Sequence, residues 1–114
     1  MYIIKNIILK FFDWSAYMEE VNKSELIKKL IYELPVLRAK RGMTQNELSE
    51  IIGVSRQTYS LLENGKRKMT WSNFLSILFV FYFNSVTRKM LETSGILTDI
   101  LKNILNIDHR LECN

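Results

Sequence analysis

Cysteine, proline and histidine occur once each in the 114 residues, and glycine four times. A lone Cys113 excludes an internal disulfide and fits a reducing compartment. His109 has only Asp108, Glu112 and Cys113 near it in the sequence, so a frayed polar end outweighs a metal site there. So little Gly and Pro, with few β-branched runs, favours an all-α chain joined by short turns. Long apolar runs are also scarce. Met69–Thr87 carries no charge, but its dense part, Phe74–Phe83 (FLSILFVFYF), is ten residues, against the roughly 20 that a spanning helix needs. It reads instead as a central core helix, apolar nearly all round. The opening MYIIKNIILKFFDW has Lys5 and Lys10 inside its apolar stretch and no small-residue cleavage site after it, which argues against a signal peptide and for a cytoplasmic protein. Paired carboxylates, a Ser/His/Asp set, a phosphate-cradling Gly loop and zinc-type spacing are all missing, so no catalytic residue, metal, cofactor or small-molecule ligand is expected.

What remains is an ordinary globular composition, 47% hydrophobic and 25% charged, at a length suited to one domain. The net charge of +4 is unevenly placed. Residues 1–34 and 69–114 are each neutral. Residues 35–68 carry Arg38, Lys40, Arg41, Arg56, Lys66, Arg67 and Lys68 against Glu47, Glu50 and Glu63, and so hold the whole excess. Confined cationic charge raises the expectation of a polyanionic partner.

Capping and periodicity divide the chain. Ser24 can cap a helix with Leu26, Ile27, Leu30, Ile31 and Leu34 at helical spacing, while Pro35 either kinks that helix or starts a second one. The pattern ends at Gly42. Thr44-Gln-Asn-Glu47 is a capping-box sequence, predicting a helix with Leu48, Ile51 and Ile52 inward, closed by Gly53. Ser55 can cap the next helix, with Thr58 or Tyr59, Leu62 and part of Leu61 inward, stopping at Glu63-Asn64-Gly65. Thr70 caps a helix over 71–83, a shorter one covers 86–93, and Ile96, Leu97, Ile100, Leu101, Ile104 and Leu105 share a face of a last helix. The domain reading is an N-terminal extension at 1–22, a four- to six-helix bundle at 23–94, and an amphipathic helix with a polar tail at 95–114.

Two short helices joined tightly at Gly53-Val54-Ser55 make a helix-turn-helix. Ser55, Arg56 and Gln57 head its second helix, away from the apolar face of Tyr59 and Leu62. A major-groove recognition helix needs that arrangement: Arg can pair bidentately with guanine and Gln with adenine. Gln45, Ser55, Lys66, Arg67 and Lys68 would flank the groove as phosphate contacts. Thr70, Trp71 and Ser72 open a helix whose N-terminal amides can hold a phosphate. Trp71 and Tyr59 themselves read as core or rim residues.

The segment LRAKRGMTQNELSEIIGVSRQTYSLLENGKRK resembles the Cro/phage-repressor-like (Xre) helix-turn-helix family. The resemblance rests on TQ-x-EL-x-x-x-x-GVSRQT and the ENGKR exit, in detail over about 35–83. It implies a compact lambda-repressor-like fold and sequence-specific binding of double-stranded DNA by a transcriptional regulator, usually a repressor and often a homodimer on a palindromic operator. Carried over by position, it implies base reading by Arg56, Gln57 and Leu61, a phosphate contact at Gln45, and a structural salt bridge between Arg38 and Glu63. Leu61 stands where a polar reader is common. It either touches a thymine methyl or packs on the protein, leaving readout to Arg56, Gln57 and Ser60. Residues 1–22 have no fixed counterpart in the family, and Met18 is an alternative start. The rival reading is an antitoxin-like or adaptor module that uses the helix-turn-helix as a scaffold and its apolar ends to hold a protein.

Overall fold

The computed structural model describes residues 20–98, which form five helices and no strand: α1 Glu20–Arg41, α2 Gln45–Ile52, α3 Arg56–Glu63, α4 Trp71–Tyr82 and α5 Ser85–Thr93. α1 is the spine, packing against α3, α4 and α5, while α2 sits against α3 and α4. Leu26, Leu30, Leu34 and Leu37 run down the inner face of α1 and meet Leu48, Tyr59, Leu62, Phe74, Ile77, Leu78, Phe81 and Leu91 in one buried cluster.

α1 does not start at Ser24. That residue is exposed inside a helix already under way at Glu20, so the cap sequence is unused. Pro35 lies within the same unbroken helix. A mid-helix proline forfeits one backbone hydrogen bond and costs about 3 kcal/mol. Its ring faces solvent here, while Leu34 and Leu37 on either side are fully buried and hold the helix across the gap.

The caps around the next two helices are used. Thr44, in extended backbone at φ −79°, accepts from the Glu47 N–H at 3.1 Å and donates its hydroxyl to Glu47 Oε1 at 3.1 Å. Gly53 closes α2 at φ +79°, a left-handed conformation that glycine alone adopts without strain, and its N–H donates to the carbonyls of Ser49 and Glu50. Ser55 opens α3, accepting from the Thr58 N–H at 3.0 Å. α2 buries only a narrow stripe. Leu48 is fully buried and Ile52 half-buried, but Ile51 is 58% exposed, because no element covers the flank one residue off the i, i+4 line.

α4 is not buried all round either. Phe74, Ile77, Leu78 and Phe81 face the core, while Phe79 and Phe83 lie exposed and meet edge-on at 5.0 Å. Asn84 caps α5, and the buried Thr87 hydroxyl donates to the Phe81 carbonyl at 2.6 Å, tying α5 to the end of α4. No helix among the described residues is long and apolar enough to cross a membrane.

Ile96 and Leu97 were expected on a final helix. They are instead in irregular backbone, both donating N–H to the Leu91 carbonyl at 3.1 Å, with their side chains sealing the core. Position 22/23 falls inside α1, and 94/95 falls just before this plug. The extension before Glu20, with Met18, and the remainder of the expected last helix and tail, with His109 and Cys113, lie outside the described residues.

Candidate nucleic-acid interface

α3 is anchored at its far end and bare at its near end. Tyr59 is fully buried and Leu62 1% exposed, so one face is pressed into the bundle. Glu63 closes the anchor: Arg38 from α1 donates Nε to Oε2 at 2.8 Å and Nη2 to Oε1 at 2.7 Å, a two-pronged pair. Arg38 also donates Nη1 to the Met43 carbonyl at 3.1 Å, so one guanidinium holds α1, the α1–α2 turn and α3 together. Burial pushes the Glu63 carboxyl up, but the two hydrogen bonds from Arg38 and the Arg38 charge outweigh it, leaving its pKa below the usual value. Arg38 is held above its ordinary value by the hydrogen bond to Glu63, against the opposing effect of burial. The Tyr59 hydroxyl is buried with no hydrogen-bond partner among the described residues, and its pKa is pushed up, first by that burial and then by the nearby Glu63.

At the other end Ser55, Arg56 and Gln57 are exposed. Among the described residues, the Arg56 and Gln57 side chains have no hydrogen-bond or ion-pair partner. Gln45, Arg56, Gln57, Ser60 and Leu61 line one open groove between the head of α2 and α3, and Arg56 with Gln45, Asn46, Thr44 and Arg38 lines a second beside it. Gln45 therefore lines both grooves beside the exposed arginine. Leu61 is 37% exposed, so the structure places it at the groove rather than in the core.

The basic exit from α3 is an ordered turn. The N–H groups of Lys66 and Arg67 both donate to the Leu61 carbonyl, at 3.0 and 3.1 Å, and Lys66 N–H also donates to Asn64 Oδ1 at 3.0 Å. Arg67 reaches back along α3 to donate Nη1 to Thr58 Oγ1 at 3.4 Å, and that hydroxyl also accepts from Ser55 Oγ at 2.9 Å. A cation beside the first turn of a helix adds to the positive end of its dipole, which makes the location electrostatically suited to an anion. Lys66, Arg67 and Lys68 are all exposed.

Thr70 is exposed and caps α4 by accepting from Asn73 N–H at 3.1 Å. The Trp71 ring is stacked on Phe74 at 4.5 Å, with the Lys23 ammonium 5.4 Å from its centroid, so the indole is part of the wall and only the backbone there is available to a phosphate. Two bases of the cationic segment are bonded within the protein: Arg38 in its half-buried ion pair, and Arg41, which stays exposed while donating Nη1 to the Val80 carbonyl at 3.1 Å. The Arg41 contact was not foreseeable, because α4 is 39 residues away and nothing local marks the pairing. Tyr59 was likewise expected as core, and its membership of the Arg38–Glu63 group follows only from how α1 and α3 cross.

Two capped helices about a left-handed glycine, the second exposing a polar head above an anchored tail, define a helix-turn-helix of the DNA-binding regulator class. A family model described as helix-turn-helix, of the Cro/C1-type, Xre-like kind, matches residues 37–70, the stretch from the last turn of α1 to the cap of α4. The match covers less than half of the chain. Comparison with curated proteins and with solved structures returned no match.

Proposed function

We propose that this protein is a cytoplasmic, sequence-specific transcriptional repressor that binds a palindromic operator as a homodimer, with α3 in the major groove. Arg56, Gln57, Ser60 and Leu61 read base edges, while Gln45, Ser55, Lys66, Arg67, Lys68, Thr70 and Trp71 grip phosphates, Trp71 through its backbone amide. The observation that carries this reading is the exposed Arg56–Gln57 pair at the head of α3, without a side-chain partner among the described residues and facing the same groove as Gln45. Exposed donors with no partner among the described residues give up no bond there when they meet a base, so a bidentate contact keeps its roughly 1–3 kcal/mol of discrimination. The ordered basic turn supplies the sequence-independent share of affinity. The working unit is 23–94 together with the Ile96–Leu97 plug.

Selection from a random duplex pool at low salt tests the reading. It should return an enriched motif with two inverted half-sites about one helical turn apart. A pool recovered without enrichment would defeat it.

One observation favours the adaptor alternative. Tyr32, Phe79, Phe83 and Val86 are exposed apolar side chains, and Phe83 lies about 18 Å along α4 from its N-terminus. In an adaptor, Phe83→Ala would release a protein partner and Arg56→Ala would change nothing. In the proposed regulator, Arg56→Ala alters base preference. Truncation after Gly95 does not separate the two, since it removes the buried Ile96 and Leu97; a cut after Thr98 leaves that plug in place.

A further inference from the structure

The reading groove has one apolar wall. Gln45, Arg56, Gln57 and Ser60 carry hydrogen-bonding groups, and Leu61 carries none. Its neighbour Leu62 is 1% exposed and supplies the packing at this point of α3, so Leu61, 37% exposed, is not needed by the core. An isolated exposed leucine is unremarkable on most surfaces. Here its position is fixed: the Leu61 carbonyl accepts both Lys66 and Arg67 N–H groups, which makes its backbone the anchor of the cationic turn. Gln57 and Leu61 are four residues apart, so they share a helix face, about 40° apart around the axis and about 6 Å along it, nearly two base-pair steps.

We propose that Leu61 reads the C5-methyl group of a pyrimidine, so that binding favours thymine over uracil and 5-methylcytosine over cytosine at one position of each half-site. In the major groove thymine presents O4 and a C5-methyl, and cytosine presents N4–H2. An aliphatic side chain cannot tell O4 from N4; it senses only whether a methyl is there to be buried. Cytosine methylation on the operator is therefore sensed as a gain in affinity at that position. The methylated pyrimidine lies within about two base pairs of the one that depends on Gln57.

This inference rests on the base-reading role proposed above, and its test separates the two. On an operator recovered by selection, each thymine is replaced singly by uracil, a change that deletes one methyl group. One position per half-site should lose about fourfold in affinity, the effect of one buried carbon. A C·G pair placed at that position should gain a similar factor when its cytosine is C5-methylated. Leu61→Ala should bind thymine and uracil duplexes equally. Leu61→Gln, which keeps the helix and the length of the side chain, should lose the methyl preference too. A sequence-selective protein that is indifferent to every uracil substitution, or a methyl preference that survives in both Leu61 variants, overturns this inference and leaves the base-reading role intact. Absence of any selected motif overturns both.

Discussion

The first and last turns of α3 belong to one eight-residue helix and have opposite surroundings. The last turn holds Tyr59, Leu62 and Glu63 in the bundle, with Arg38 closing the anchor from α1. The first holds Arg56 and Gln57 in solvent with no partner among the described residues. An ion pair with little solvent access fixes geometry more than it adds stability, because desolvation consumes much of the attraction. The anchored end thus sets the angle at which the bare end is presented. Arginine serves both ends by different means: Arg38 is shielded, forked onto a carboxylate and directed inward, whereas Arg56 is left available.

Four changes would break or sharpen this contrast. Arg38→Ala leaves Glu63 shielded and unpaired, and should cost about 3 kcal/mol of folding free energy, read as a lower urea midpoint. What protein remains folded should keep its base preference. Next, Arg56→Ala should leave the urea midpoint unchanged but weaken operator binding by about 2 kcal/mol, roughly thirtyfold, and relax the preference at one base pair. A loss of stability in that variant would mean that the two ends are not separate in function.

Smaller effects come from the rim and from pH. Arg67→Ala should weaken binding to all sequences alike and reduce the slope of log affinity against log salt by about 1, because one phosphate contact disappears. The effect of acid follows from the lowered pKa of Glu63. A carboxyl whose folded pKa lies below its unfolded value contributes stability that is present above the unfolded value, near 4.3, and is lost as pH falls towards and through the folded one. Urea midpoints measured from pH 7 down to pH 3 should therefore decline with a component that Glu63→Gln lacks.

Much of this arrangement was legible in the sequence, and the reason is local. Thr44, Glu47, Gly53 and Ser55 act on backbone within four residues of themselves, so their caps follow from identity and spacing. The head of α3 was legible for the same reason: a polar run after a cap, off the Tyr59–Leu62 line, has no core to face. The failures are long-range. Ser24 looked like a cap, yet α1 extends past it to Glu20. Pro35 left two outcomes open, settled by the burial of Leu34 and Leu37 against other helices. Ile51, Phe79 and Phe83 were read inward by hydrophobicity, but five short helices do not cover every apolar flank. Ile96 and Leu97 have helical spacing yet plug the core in irregular backbone, an arrangement set by the Leu91 carbonyl. The bond from Arg41 to the Val80 carbonyl joins residues 39 apart, and nothing local marks it.

The central claim is that the Arg56 guanidinium meets a guanine in the major groove. The most direct measurement pairs a protein variant with a single-atom change in DNA: 7-deazaguanine removes the N7 acceptor from that edge and leaves Watson–Crick pairing intact. With the selected operator, substitution at one guanine should weaken binding by the wild-type protein by about 1 kcal/mol or more and should cost Arg56→Ala almost nothing, giving a clear coupling in the double-mutant cycle. Equal losses for the two proteins at every guanine would contradict the account.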